Sequence, residues 1–328
     1  MQYPLFSVVV TCYNQENLVL QTLESVKSST YPNIELIVAD DGSRDTTADV
    51  AEEWMKANAE RFSKTLLIRG GHTGISANHT RAFRVASGEY VKYIGGDDVL
   101  LPTALQSMAS FLSSEPKAGI CWSQIVPFLE RAESVRIMSR PMPSGYLGKR
   151  FSSLPPEEQF GVLTLWGLIS GPGNFFRRCA IKSIGYFGTE IKTFEDYHLW
   201  LKAAKSGFQI RFLPEPTVLW RRHEGSVSFH AGAQFQADIA NVMDSLIMRE
   251  ISNFNPVHRA VVRNRYVIVT KFQGRRDLDP RTKREFFVRR ALDPFQWKYL
   301  PGFVRINLGL LIIKTGSVFR GLALKVSK

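Results

Sequence analysis

The sequence predicts an α/β fold, a mainly parallel sheet flanked by helices and followed by a helical, basic C-terminal appendage. Three observations carry this reading. Short β-branched runs alternate with stretches of helical periodicity, the signature of βαβ units. The loops between them are short, as parallel units covered on both faces require. The 328 residues are 44% apolar and 22% charged, enough to build a packed core.

Phe6-Ser7-Val8-Val9-Val10-Thr11 reads as a buried strand. Asn17–Lys27 repeats Leu18, Leu23 and Val26 at helical spacing, and Ile34–Ala39 is a second strand. Asp41-Gly42 marks a turn, and Asp45 is a good N-cap for a helix through Ala59. Thr65–Arg69 reads as a third strand, Ser76–Ala86 as a helix, and Tyr90–Ile94 as a fourth strand ended by Gly95-Gly96. Pro102 opens a further helix, and Gly119–Trp122 reads as a short strand. Between Gln124 and Gly171 the prolines and glycines (Pro141, Pro143, Gly145, Gly148, Pro155, Pro156) predict a loop-rich segment. Order returns at Asn174–Arg178, with a helix over Glu195–Lys205 and strands at Phe208–Leu213 and Thr217–Arg221.

The formal net charge of +12 is unevenly placed. Residues 257–328 hold 17 Lys+Arg against 4 Asp+Glu, and the rest of the chain holds 25 against 26. A balanced main body argues against nucleic acid as a partner. The tail sets Arg275-Arg276, Arg281-Thr282-Lys283-Arg284 and Arg289-Arg290 among Phe286, Phe287, Phe295, Trp297, Tyr299 and Leu308–Ile313. Cations mixed with aromatic and aliphatic groups suit an anionic membrane surface. The competing reading is an appendage whose apolar residues pack on the main domain. The uncharged stretch Ile306–Ile313 is far too short to span a bilayer. Met1-Gln2-Tyr3-Pro4 has no basic n-region, so no signal peptide is expected. Cys12, Cys121 and Cys179 fit neither a disulfide framework nor a zinc site, which points to a reducing, cytoplasmic setting.

In open α/β sheets, ligands bind beyond the carboxyl ends of the strands, and the polar residues of this sequence gather there. Asp40-Asp41-Gly42-Ser43 offers carboxylates to a base N–H or a ribose hydroxyl, although Asp-Gly is also an ordinary turn. Gly95-Gly96-Asp97-Asp98 offers hard oxygen ligands for Mg²⁺ or Mn²⁺; a solvated surface turn is the alternative. Glu195-Asp196 fits a general base or a capping box with Thr193. Arg222 and His223, after a strand, suit a diphosphate grip or a metal shell, or a plain surface basic cluster.

The order of these pieces adds what each lacks alone. Ser7-Val8-Val9-Val10-Thr11-Cys12-Tyr13-Asn14, Leu23-Glu24-Ser25-Val26 and Glu35 through Ser43 resemble the opening of family 2 glycosyltransferases with the GT-A fold, a Rossmann-like sheet. Gly74-Ile75-Ser76-Ala77-Asn78, Ser87-Gly88-Glu89-Tyr90-Val91, Gly96 through Pro102, Asn174 through Arg178, Glu195 through Trp200 and Arg222 through Ser228 continue the resemblance. It covers residues 5–228 and implies a catalytic domain there, with 229–328 as the appendage. It implies an inverting transfer from a nucleotide-diphosphate sugar, UDP before dTDP or GDP, to a saccharide or lipid-linked saccharide acceptor in surface polysaccharide synthesis. By the same resemblance Asp41 would meet the base and Asp97 the ribose, with Thr11, Tyr13, Asn14, Asp40 and Asn78 lining the nucleotide. Asp98 would hold Mn²⁺ or Mg²⁺ with help from His223, and Arg222 would reach the phosphates. Asp196 would be the general base and Glu195 would orient the acceptor.

Two departures stand out. Gly95 replaces the first acid of the common Asp-x-Asp motif, and His79-Thr80-Arg81-Ala82 stands where Arg-Asn-x-Gly is usual. A lipid-linked acceptor gives the basic tail a use, at the inner face of a membrane. The alternative function is a catalytically silent module that binds nucleotide sugar or membrane. A nucleotidyltransferase would carry a Gly- and Arg-rich first loop and a dinucleotide enzyme Gly-x-Gly-x-x-Gly; Thr11 through Glu16 contains neither.

Overall fold

The computed structural model describes residues 3–131, 134–165, 169–223, 225–226, 232–272, 279–293 and 304–314. Met1, Gln2, Glu224, Val227, Ser228, Arg275, Arg276, Phe295, Trp297 and Tyr299, all used in the sequence reading, lie outside the described residues.

The first half follows the expected alternation: β1 (Phe6–Cys12), α1 (Val19–Lys27), β2 (Ile34–Asp40), α2 (Thr47–Ala57), β3 (Lys64–Arg69), α3 (Ile75–Val85), β4 (Tyr90–Gly95), β5 (Val99–Leu100) and α4 (Ala104–Ser114). Asp45 lies just outside α2, where its Oδ1 accepts the Thr47 amide at 3.0 Å. Strands β3, β2, β1 and β4 pair in parallel in that order. The register sets Cys12 opposite Asp40 and Thr11 opposite Gly95, so three strands end along one edge. Alternation along the strands feeds two cores. Val8, Val10, Leu36 and Val38 pack on one face, with Trp54 and Met108. Val9, Ile37 and Ala39 pack on the other, with Phe83, Phe151 and Trp200.

Beyond β4 the sheet is mixed. The remaining elements are β6 (Ile120–Arg131), β7 (Ser134–Ile137), α5 (Gly145–Ser152), α6 (Pro156–Leu165), β8 (Asn174–Arg177), α7 (Arg178–Ser183), α8 (Glu195–Lys205) and β9 (Ile210–Arg221). The sheet order is β3-β2-β1-β4-β8-β6-β9-β5, with β7 on β6. Strand β8 is antiparallel to β4 and β6, whereas β6 and β9 pair in parallel. Two corrections follow. The expected loop over Gln124–Gly171 is two strands and two helices. Its glycines and prolines are there for contact and helix entry: a Cβ at Gly148 would come within 2.3 Å of the Phe212 ring, and Pro156 opens α6. The two strands expected around Pro214 and Pro216 are one strand, β9, whose pairing with β6 shifts register at Ser123–Ile125.

The C-terminal region holds α9 (Gly232–Val242), α10 (Pro256–Lys271), α11 (Pro280–Ala291) and a further helix, α12, at 304–314. It is not a separate appendage. Val242, Met243, Phe254, Val262, Ile306 and Leu310 belong to the same core as Val9 and Trp200. Arg265 forms a buried ion pair with Asp293 at 2.7 Å and donates to the carbonyls of Thr164 and Leu165 on α6. No helix among the described residues is long and apolar enough to cross a membrane.

Candidate active site

The ends of β1 and β2 build a pocket wall from short polar side chains. Asp40 is buried and spent on its own turn: Oδ2 accepts the amides of Gly42 (3.0 Å) and Ser43 (2.9 Å), and Oδ1 takes the Ser43 hydroxyl. Asp40, expected at the nucleotide, thus shapes the turn that carries Asp41 and Ser43. Asp41 ties the end of β2 to the next loop. Its oxygens accept the amides of Thr73 (2.9 Å) and Gly74 (2.8 Å), with Arg81 at 3.4 Å and His72 at 3.7 Å. Asn78 is also buried, donating to the Ala39 carbonyl at 2.7 Å and accepting from Arg81 at 2.9 Å, so it holds α3 to β2 rather than facing a ligand. Tyr13 is the accessible aromatic: its ring stacks on His72 at 4.5 Å and 24°. Asn14 and His72 both adopt positive φ, and Asn14 is fixed by the Ser43 hydroxyl (2.9 Å) and the Arg44 amide (2.8 Å).

At the end of β4 the two acids part company. Asp97 reaches the rim, where its Oδ2 lies 2.9 Å from His223 Nε2. Asp98 turns inward; its Oδ1 accepts the Arg221 amide at 2.9 Å. Burial, with the charge of Asp97 beside it, pushes the Asp98 carboxyl well above the usual range and favours the neutral acid. Asp98, expected as the metal ligand, thus sits inside the end of β4, one residue behind the rim acid. Arg221 lies over the Phe128 ring and donates to the Asp97 carbonyl. Arg222 lies over Trp220 at 4.3 Å. Among the described residues no group of three or more His, Cys, Asp or Glu converges as a metal cage. Two donors at the rim still fit Mg²⁺ or Mn²⁺, which commonly complete their shells with phosphate oxygens and water.

The acid pair opens α8. Burial raises both carboxyls, Asp196 to about 7 and Glu195, with the charge of Asp196 beside it, to about 8. Asp196 lies against Gly171, where a Cβ would come within 2.6 Å of its Oδ2 and 3.0 Å of the Tyr93 hydroxyl. His79, on α3, joins this acid pair to the nucleotide side: Nε2 is 3.2 Å from Thr11 Oγ1, and Nδ1 is 3.8 Å from Glu195 Oε1. Burial lowers the His79 pKa to about 3, so the ring is neutral. Tyr93 feels Asp196 and Glu195 on one side and Asp98 on the other, within one buried neighbourhood.

Sequence reasoning missed His79, Tyr93, Gly171 and Lys92 as parts of this site. Lys92 is fully buried on β4 and donates to the Pro172 carbonyl at 2.6 Å, tying down the turn that meets Asp196. Burial lowers its pKa to about 7, against the pull of Asp98. A lysine inside the apolar run Tyr90–Ile94 was the available signal.

A 3-2-1-4 sheet edge that carries an aromatic slot, an acid–imidazole rim and a desolvated acid pair defines an α/β enzyme of group transfer from a nucleotide donor. The comparisons with known proteins refine that class. The model for glycosyl transferase family 2 matches residues 7–182, and the chain belongs to this family. The Escherichia coli UDP-Glc:alpha-D-GlcNAc-diphosphoundecaprenol beta-1,3-glucosyltransferase WfaP is 27% identical over 225 residues, 68% of this chain and 80% of that protein. The poly-beta-1,6-N-acetyl-D-glucosamine synthase of Staphylococcus epidermidis is 29% identical over 212 residues, 63% of this chain and 48% of that protein. The fold matches S. aureus TarS 1-349 in complex with UDP-GlcNAc, with a TM-score of 0.59 at 17% identity over 88% of this chain and 80% of that one. It also matches the mannosyltransferase PcManGT from Pyrobaculum calidifontis in complex with GDP-Man and Mn²⁺, with a TM-score of 0.53 at 16% identity over 100% of this chain and 81% of that one.

Proposed function

We propose that this chain is an inverting glycosyltransferase that moves a sugar from a UDP-sugar to a hydroxyl of a saccharide or lipid-linked saccharide, in surface polysaccharide synthesis. The observation that supports the reading is the Thr11–His79–Glu195 contact, in which one buried ring lies between the polar end of β1 and the acid pair. The UDP donor and lipid-linked acceptor follow the named activity of the E. coli relative and the UDP-GlcNAc complex of TarS.

Tyr13, stacked on His72, offers a face for the base, with Asn14 beside it. Asp41 holds the 72–74 loop that carries His72. Asp97 and His223 would hold a Mn²⁺ or Mg²⁺ ion, which when bound offsets the charge on the departing nucleoside diphosphate. Arg222 lies beside this rim, within reach of the phosphates. Asp196 takes the proton of the acceptor hydroxyl as that oxygen attacks the anomeric carbon. One base and a direct displacement invert the configuration. Glu195, protonated beside Asp196, donates to the acceptor and orients it.

The decisive variant is Asp196→Asn. Transfer should fall by about 10³-fold or more while UDP binding stays within about twofold. Near-normal turnover removes the base assignment, and absence of UDP release in the wild type favours a silent binding module. Mn²⁺ should raise the melting temperature of the UDP complex, and Asp97→Asn should abolish that increment.

For the lipid-linked acceptor, the membrane-facing surface is α11. It buries none of its residues, carries Arg281, Lys283, Arg284, Arg289 and Arg290, and exposes Phe287 and Val288. On this reading the enzyme works at the cytoplasmic face of the membrane.

A further inference from the structure

Asp238 lies on α9, outside every motif of the family resemblance, and it is fully buried. Its Oδ2 accepts the amides of Lys192 (3.1 Å) and Thr193 (2.6 Å) and the Thr193 hydroxyl (2.8 Å). Its Oδ1 accepts the Gln234 side-chain amide at 3.0 Å. No Lys, Arg or His among the described residues lies within ion-pair distance of it; backbone and side-chain dipoles alone solvate the charge. The bonded segment is the chain that enters α8, and Phe194 at the N-cap of that helix gives no side-chain cap. From the opposite side Ser76 of α3 donates to the Ile191 carbonyl. The approach to the acid pair is thus clamped between α3 and α9.

We propose that Asp238 is a positioning residue for catalysis: it fixes the backbone of residues 192–193, and through it the Glu195–Asp196 pair, against the acceptor. This inference rests on the reading of Asp196 as the base. A buried carboxylate is an expensive way to bind two amides, since its charge must be desolvated. Here the charge has a second effect. It faces Glu195 and adds to burial and to Asp196 in holding the Glu195 proton. The other groups facing the pair are neutral His79 on α3 and the Tyr93 phenol on β4. Asp238 therefore fixes the place of the acids and adds to the proton affinity of Glu195.

Asp238→Asn keeps the shape and one acceptor oxygen but removes the charge. The expected result is a kcat lower by about 10- to 100-fold, as small misplacements at a reacting centre produce, with donor KM within about twofold. The acid limb of the kcat–pH profile, which reports the interacting Glu195–Asp196 pair, should also move to lower pH, because a negative charge acting on Glu195 is gone. An unchanged kcat and an unmoved limb overturn the proposal. If Asp238→Asn does not fold, Thr193→Val decides. It removes one bond and keeps the charge, so kcat should fall with donor KM and the acid limb unchanged; an unchanged kcat overturns the proposal. Asp196→Asn separates the two ideas. If it is inactive while Asp238→Asn is normal, only the present inference fails; if it is active, the base assignment beneath it fails.

Discussion

At the residue scale, the site depends on which carboxylates keep their lone pairs for a ligand. Asp40 and Asp238 are buried and hold several hydrogen bonds within the fold, and Asp98 is buried and holds the Arg221 amide with Oδ1. Asp97 reaches the rim, and Asp196 sits desolvated against a glycine. On the proposed reading, the acids divide between fold and chemistry, with Asp196 on the side of chemistry. This division gives a pH prediction. Asp196 acts only when deprotonated, and burial raises its pKa. The kcat should thus fall as pH drops through the near-neutral range, rather than near 4 where a free carboxyl titrates. A kcat–pH profile with the acid limb near 4 would contradict the desolvated site.

At the scale of elements, the Gly171-Pro172-Gly173 turn is held by the Lys92 amine and sets the bare backbone of Gly171 against Asp196. Gly171→Ala would push a methyl group into the Asp196 carboxylate. We expect kcat to drop by about 10²-fold with donor KM nearly unchanged, because the damage falls on the acceptor side. Steady-state kinetics with both substrates varied check this. The turn and the helices before it were the least legible part of the chain. From Gln159 to Leu165, α6 is buried on every residue, so it shows no amphipathic period to read. The run Phe6–Thr11 and the periodic stretch before Lys27 were legible because each exposes or buries a regular face.

At the scale of the whole molecule, the C-terminal region is part of the enzyme's core. Arg265→Ala would leave Asp293 buried without its cation and should cost about 3–5 kcal/mol in urea denaturation, whereas pairing Arg265→Met with Asp293→Leu should restore much of it. If the single change is neutral, the region contributes little to the fold. On the proposed reading, the outer face of the same region meets the membrane. A groove of about 420 Å³ between α10 and α11 is lined by Arg281, Arg284, Val288 and Leu292. Each cation near an anionic surface adds about 1 kcal/mol. Arg281→Glu with Arg284→Glu should then lower binding to anionic vesicles by at least about tenfold, and binding should weaken with salt. Co-sedimentation that is unchanged by these substitutions or by salt would discard the membrane face.

The sequence by itself determined the βαβ half, the helix that opens at Glu195, the polar residues at the strand ends and the uneven charge. All of these follow from local periodicity and composition, which need no partner to be read. Tertiary packing alone set how deeply each acid is buried, brought His79 and Tyr93 beside the acid pair, and made α9 and α10 part of the core. Those outcomes depend on burial and on hydrogen bonds between residues far apart in the chain, such as Asp238 with Thr193 or Arg265 with Thr164, and no local pattern encodes such pairings.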